Sequence, residues 1–395
     1  MDPYLKDVLD VLLRMLHVVA GIAWIGASFY FVRLDLALRP PKRQEDSDAG
    51  VAGEFWGVHG GGLYHSQKYR LAPAEMPEPL HWFKWEAYTT WLSGFALFVF
   101  LYYVNADTYM IDKSVADLRP WEAIAISIGL LVVAWVVYDV LCRLVRNEAV
   151  LAAAILGLTT LAAWGCSHLF SGRAEYIQVG AMLGTIMAAN VFLVIIPAHW
   201  ELVRAKEAGR EPDPAPGVRA KQRSVHNNYL TLPVLFAMLS NHFPSSYGHS
   251  YSWAVLMAMM VIGAWIRVFF NLRHQGRNVW AIPVTAALAI AGVAVAIRPS
   301  GGSARGSFAG SVSFARVQSI VEQRCVPCHS AHPTRVSVAP KGVVFDTPAQ
   351  IASQASLIQQ VAVTTKVMPI GNATRMTQAE RDLLGAWIRQ GAKIK

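Results

Sequence analysis

The chain has 395 residues, of which 54% are hydrophobic and only 15% charged, and it carries a net charge of +9. So apolar a composition excludes an ordinary soluble enzyme and points to a protein held mostly in a membrane. In that setting the positive balance reflects basic loops on one side of the bilayer. Membrane lipid, not nucleic acid, is then the expected surroundings.

The opening run Met1-Asp2-Pro3-Tyr4-Leu5-Lys6-Asp7 has no basic stretch and no small-residue cleavage site, so the first apolar segment is expected to start insertion itself. With about 20 apolar residues per span, eight spans are expected, near 8–38, 83–104, 120–141, 149–170, 176–199, 228–244, 251–272 and 279–297. The sixth is interrupted by Pro233, Asn241 and His242. Basic residues gather in alternate loops: Arg39, Lys42, Arg43, Lys68 and Arg70, then Arg143 and Arg146, then 204–223, then Arg273 and Arg277. The other loops hold few, chiefly Lys113, Arg119 and Arg173. The positive-inside rule makes the first set cytoplasmic and puts both termini in the periplasm, as for a multi-pass protein of a bacterial inner membrane.

The loop from 39 to 82 is long, glycine-rich and aromatic, which argues for a function rather than disorder. Its His59-Gly60-Gly61-Gly62 run is either a plain turn or a set of N–H groups open to an anion. Trp56, Tyr64, Trp82 and Trp85 are either an interfacial belt or a stack for a flat ring. The segment 200–227, with Pro212, Pro214 and Pro216, reads as a solvated connector. Cys142 and Cys166 lie in apolar runs and read as buried thiols.

Histidines inside spans are costly and therefore functional by default. His17, His168 and His242 all fall in the periplasmic half, and histidines on facing helices suit bis-histidine ligation of haem b, one or two in number. His199, after Pro197, is a further candidate for haem or substrate.

Beyond Arg298, Pro299-Ser300-Gly301-Gly302-Ser303-Ala304-Arg305-Gly306-Ser307 reads as a flexible tether. Three units are therefore expected: a membrane unit 1–298, a linker 299–313 and a small all-α cytochrome c domain 314–395. The last rests on Cys325-Val326-Pro327-Cys328-His329, the attachment signature of one covalent haem c, in which both thiols bond the porphyrin and His329 ligates iron. A helical run precedes it at Phe314 to Gln323. Met368, held out of helix by Pro369, is the sixth-ligand candidate, with Met376 a weaker one. Thr377-Gln378-Ala379-Glu380 is a capping box opening a final helix with Leu383, Leu384, Trp387 and Ile388 on its apolar side. The chain as a whole is expected to be all-α.

Leu16-His17-Val18-Val19-Ala20-Gly21-Ile22-Ala23-Trp24-Ile25-Gly26, then Glu54-Phe55-Trp56-Gly57-Val58-His59-Gly60-Gly61-Gly62, then Leu80-His81-Trp82-Phe83-Lys84-Trp85-Glu86, ahead of the terminal haem motif, resemble the bacterial membrane-bound urate hydroxylase family. That resemblance implies an eight-span domain fused to a cytochrome c domain. It also implies oxidation of urate to 5-hydroxyisourate with water as oxygen source, electrons passing to the cytochrome instead of to dioxygen. The onward acceptor would be a soluble cytochrome c or a terminal oxidase, and the oligomeric state stays open, a homo-oligomer included. A flat anion suits aromatics, N–H donors and a cation, so His59, Tyr64, His81, Lys84 and Glu86 are the catalytic candidates, His59 as base. Two readings compete: a dehydrogenase of quinol or another small reductant, and a membrane anchor that only presents a cytochrome c. Eight spans with embedded histidines exceed what an anchor needs, and no paired broken helices suggest a transporter.

Overall fold

The computed structural model describes residues 3–298, 311–336 and 338–394. Most of the expected tether, 299–310, lies outside the described residues. Helices dominate: α1 (Pro3–Ala37), α2 (Trp85–Phe98, continued by a π-turn Val99–Tyr103), α3 (Pro120–Leu144), α4 (Glu148–Ser167), α5 (Gly172–Glu207), α6 (Pro214–Leu239), α7 (Ser252–His274) and α8 (Ala281–Ala296). Five of them, α1, α3, α4, α5 and α7, are long and apolar enough to cross a membrane. The other three expected spans are also helical, but α2 and α8 are short and α6 is more polar.

The ends of the bundle are joined by polar contacts between helices. At one end Arg173 Nε donates to Asn241 at 2.9 Å, Asn241 to Tyr102 Oη at 3.2 Å, and Tyr176 Oη to the Ser252 carbonyl at 2.7 Å. At the other, Lys221 and Lys68 both pair with Asp35, and Gln222 donates to Glu148 at 2.8 Å. The second end carries the loops in which basic residues gather.

Two expectations are corrected here. The chain is not wholly α-helical: Val51–His59 (β1) and Gly62–Tyr69 (β2) form an antiparallel hairpin with His59 opposite Gly62. Its turn needs positive φ at two successive residues, which Gly60 (+56°) and Gly61 (+80°) accept without a Cβ penalty. The HGGG run is thus a hairpin turn. Nor is 200–227 a connector. α5 runs to Glu207 and α6 already starts at Pro214, where Asp213 Oδ1 accepts from the Ala215 N–H at 2.9 Å and proline occupies the position whose N–H would be unpaired. The sixth expected span is therefore the inner half of a longer helix that passes through Pro233 and ends at Leu239.

A second hydrophobic cluster sits in the C-terminal region, where Val317 and Val321 of α9 (Phe314–Arg324) meet Phe345, Ile351, Ile358, Leu384 and Trp387. The capping box of α10 (Gln378–Arg389) forms as expected, the Glu380 N–H reaching Thr377 Oγ1 at 3.3 Å and Thr377 N–H reaching Glu380 Oε2 at 2.6 Å. This region packs on the end of the bundle opposite the basic loops. A Cβ on Gly371 would lie 2.5 Å from the Ile111 carbonyl oxygen, and one on Gly248 would lie 2.5 Å from that of Thr365. Gly371 also has φ +56°. Gly371→Ala is expected to cost about 1–3 kcal/mol at this contact. Faster amide exchange and proteolysis at 370–372, with the bundle unchanged, is the readout.

Candidate functional site

α9 is prolonged by one more turn: Cys328 N–H donates to the Cys325 carbonyl at 3.1 Å and His329 N–H to the same oxygen at 2.9 Å. Cys325, Cys328 and His329 therefore share one side of the turn. His329 Nδ1 is 3.0 Å from the Val343 carbonyl oxygen. A carbonyl only accepts, so the proton is on Nδ1 and Nε2 keeps its lone pair, the orientation an iron ligand needs. Burial pushes the Cys325 thiol up to about 12 and raises that of Cys328 as well. The two cysteines are not joined in a disulfide, and among the described residues no three His, Cys, Asp or Glu side chains converge as a metal cluster would require. This donor set fits covalent haem better than zinc, which takes four ligands.

Met368 is half-buried and its backbone is pinned on both sides: its N–H donates to Val361 O at 2.9 Å and its carbonyl accepts from Arg381 Nη1 at 2.7 Å. Arg381, itself buried, also donates to the Ala362 carbonyl. Met376 lies deeper in the same cluster, 3% exposed, with its N–H on Asn372 Oδ1 at 2.9 Å.

In the bundle, His17 of α1 is half-buried against α2. Its Nδ1 lies 3.0 Å from the Thr90 carbonyl oxygen and 3.2 Å from Ser93 Oγ, so its Nε2 is likewise left open. The ring occupies space that only glycine leaves, because a Cβ on Gly94 would fall 2.7 Å from its Cε1. His168 is exposed at the C-terminal end of α4 with Nδ1 on the Trp164 carbonyl at 2.8 Å. His242 is exposed in the turn Ser240–His242, and His199 is exposed on α5 beside Trp200. No hydrogen bond or ring contact among the described residues joins any two of these four.

The catalytic candidates divide between two places. Strand alternation puts His59 and Tyr64 on one face of the hairpin, both exposed, with His59 at the tip. The opposite face holds Glu54, buried, whose Oε2 accepts from His65 Nε2 at 2.8 Å while the His65 ring stacks on Trp56 at 4.1 Å. His81 is exposed and meets the edge of Phe83. Lys84 and Glu86 instead lie where α2 joins the bundle. Lys84 Nζ is 5.6 Å from the Trp82 ring centre and 5.8 Å from that of Trp200, which stack on each other at 4.2 Å. Glu86 Oε2 is buried there without a hydrogen-bond partner.

Sequence reasoning missed a seam of polar side chains in the bundle interior. Asp139 of α3 pairs with Arg223 of α6 at 2.7 Å, with both side chains buried. Asn190 of α5 donates to Tyr138 Oη and to Asn227 Oδ1, each at 3.0 Å, and Tyr138 Oη meets His226 Nδ1 at 2.8 Å. Further along, Arg267 of α7 donates from Nε to Asn228 Oδ1 at 3.0 Å, and Asn271 Nδ2 donates to the same oxygen at 3.1 Å. The Arg267 guanidinium lies 3.8 Å from the ring centre of Phe29 and makes no salt bridge among the described residues. Arg267 only donates, so Asn228 must present oxygen to it, and Asn271 must then present its NH2. Arg267 Nη2, Asn228 Nδ2 and Asn271 Oδ1 are left buried and unpaired. The signal was readable: Arg223 with Asn227, and Arg267 with Asn271, are polar pairs four residues apart, on one face of a helix.

Five helices long and apolar enough to cross a membrane, with a polar seam between helices, define a helical protein of a kind compatible with the bilayer. Its kinship is shown by comparison: the family described as urate oxidase N-terminal matches residues 3–298, and the chain belongs to that family. No curated protein and no solved structure matches the chain. Membership makes this an oxidoreductase-type protein with urate as its related substrate, and residues beyond 298 lie outside the match.

Asp139→Ala is expected to cost about 3–5 kcal/mol, because it leaves the Arg223 guanidinium buried and uncompensated. The double variant Asp139→Leu with Arg223→Met is expected to recover most of that loss in thermal unfolding of the detergent-solubilised protein.

Proposed function

We propose that this protein is a membrane-bound urate hydroxylase with eight spans. It oxidises urate at the basic end of its bundle and delivers the electrons to its own C-terminal cytochrome c domain at the opposite end. The observation that carries the electron-transfer part is the helical turn that gathers Cys325, Cys328 and His329, with Val343 holding His329 in the ligating tautomer. Family membership carries the substrate.

The half-reaction is urate plus water giving 5-hydroxyisourate, two protons and two electrons. Haem, when bound, supplies one-electron carriers for the transfer. The chain's residues do the rest. Arg267, Asn228 and Asn271 offer two donors, one acceptor and an unneutralised positive charge, the complement of a flat anion that carries adjacent N–H and C=O groups. Phe29 backs the guanidinium. Lys84, stacked over Trp82 and Trp200, and Glu86 stand at the same end and would draw in the anion and take up its proton. His59, Tyr64 and His81, proposed from the sequence as catalytic, are outlying on the hairpin and its following loop. Retained turnover in His59→Ala would remove His59 from the reaction.

A hydrocarbon core of about 30 Å separates the two ends, too far for one electron hop. His17 supports an intermediate b-type haem: its free Nε2 and the Gly94 hollow are the features of a ligand site, with His242, His199 or His168 to supply a second ligand. From His17 to Phe29 is about 18 Å along α1, which shortens the gap to the proposed urate site. The periplasmic placement of the C-terminal domain and a bacterial inner-membrane location agree with basic loops at the opposite end. Met368, its backbone pinned by Arg381, is the proposed sixth ligand of haem c. A soluble cytochrome c or terminal oxidase would take the electrons onward.

The deciding measurement is an anaerobic optical spectrum of the oxidised protein before and after urate, with a pyridine haemochrome count of b and c haems. Reduced bands of both types are expected; reduction by dithionite but not by urate would reject the substrate. Gly94→Ala should lower b-type haem while leaving haem c intact. Arg267→Met should raise the KM for urate about tenfold or more, since a hydrogen bond to a charged group is worth about 1.5–3 kcal/mol, with haem content unchanged.

A further inference from the structure

Where the C-terminal region meets the bundle, a cavity of about 550 Å³ lies between the segment 365–371 and the ends of α4, α5 and α7. Its walls are largely apolar, Phe170, Tyr247 and Trp253 among them, but four side chains of opposite charge are set into them: Arg173 and Lys366, with Asp112 and Glu175. His168 and His249 line it too. None of the four charged groups is in a salt bridge among the described residues. Arg173 donates from Nε to Asn241 at 2.9 Å, and Asp112 Oδ1 accepts the Ser114 N–H at 2.9 Å. Glu175, fully buried, accepts from Ser252 Oγ on Oε2 at 2.6 Å and keeps Oε1 without a partner. Lys366 is exposed. Beside the cavity, an apolar groove runs down the outer face of α4 from Trp164 to Ala153, and Trp164 and Trp253 line both hollows, so they are continuous. Eleven residues of helix are about 16 Å long, which is half of a hydrocarbon core of about 30 Å. The groove therefore has the length of one leaflet, with the charged cavity at the depth of the headgroups.

We infer that these two hollows hold one phospholipid with a primary-amine headgroup, of the phosphatidylethanolamine type. Its phosphate takes Arg173 and Lys366, its ammonium takes Asp112 and Glu175, and one acyl chain lies in the groove. Both signs of charge stand unpaired around one cavity, so the ligand that suits it carries both as well. An anionic lipid brings a phosphate and leaves the two carboxylates without a cation. A choline lipid brings a positive charge but no N–H, and so gives nothing to Asp112 or to Glu175 Oε1. A primary ammonium has three donors, enough for both.

The site spans two parts of the chain. Lys366 belongs to the C-terminal region, while Arg173 and Glu175 belong to α5 of the bundle. One lipid on all of them ties the C-terminal region to the membrane unit, beside the backbone contact of Gly248 with Thr365 and that of Gly371 with Ile111. The lipid thereby becomes a structural ligand of the docked state.

The test uses no urate, so its failure is separable from failure of the urate reading. The full-length protein, stripped of lipid in detergent, is titrated with dioleoyl phosphatidylethanolamine, phosphatidylcholine or phosphatidylglycerol, and bound lipid is counted by native mass spectrometry. One ethanolamine lipid is expected to bind, about tenfold more tightly than either of the others, and to slow amide exchange at 365–371. Asp112→Asn keeps an oxygen for the Ser114 N–H and removes the charge, so it is expected to bring the ethanolamine lipid down toward the choline lipid while leaving the latter unchanged. Lys366→Gln is expected to weaken all three about threefold. A Cβ on Gly157 meets nothing within 4 Å, so Gly157→Leu fills the groove without a clash and is expected to weaken all three about tenfold. Equal affinity for the three lipids, as for boundary lipid only, would overturn the proposal, as would a preference for the choline lipid or unchanged binding in Gly157→Leu. Exchange at 365–371 that is indifferent to the ethanolamine lipid would overturn its role in docking.

Discussion

A polar side chain inside an apolar bundle has to find its partner on another helix, because hydrocarbon supplies none. That constraint organises this structure. Asp139 pairs with Arg223 across α3 and α6 and with Arg143 of its own helix, and Asn190, Tyr138, His226 and Asn227 close a hydrogen-bonded chain between α3, α5 and α6. The same requirement makes the exceptions informative. Arg267, Asn228 and Asn271 stay partly unpaired at the basic end and Glu175 at the other, and Arg223 and Asn190 within the seam also keep buried atoms without a partner. An unsatisfied buried group costs about 1–3 kcal/mol.

The two ends of the bundle differ in kind. One gathers cations around Asp35, the hairpin and the Trp82–Trp200 stack; the other receives the C-terminal region through close backbone approaches at Gly248 and Gly371. This polarity suits a protein that takes a water-soluble anion on one side and passes electrons to the other. Glycine makes the docking possible in each case, since any side chain would meet a carbonyl oxygen.

One device recurs at His17, His168 and His329: a backbone carbonyl accepts the Nδ1–H hydrogen bond, which leaves the Nε2 lone pair free. In His329 the carbonyl comes from Val343, fourteen residues on, and in His17 from Thr90 on another helix. Neither partner can be identified from the local sequence, because a carbonyl is present at every residue and only the fold decides which one is near.

The sequence by itself determined the apolar helices, the Cys325–Cys328–His329 spacing, the capping box at Thr377 and the alternation of basic loops, because each is written in local spacing. It misread the hairpin as loop, since nine and eight residues of alternating character around two glycines carry little weight beside long helical runs. It also misread 200–227, where prolines that mark a break proved to start a helix instead. Only the tertiary structure decided that Lys84 and Glu86 join the bundle while His59, Tyr64 and His81 stay outside it, that Arg267 lacks a counter-charge, and that Met368 and Glu175 face one cavity. These are relations between residues far apart in the chain. Their energy depends on which helices touch, and periodicity along one helix does not say which.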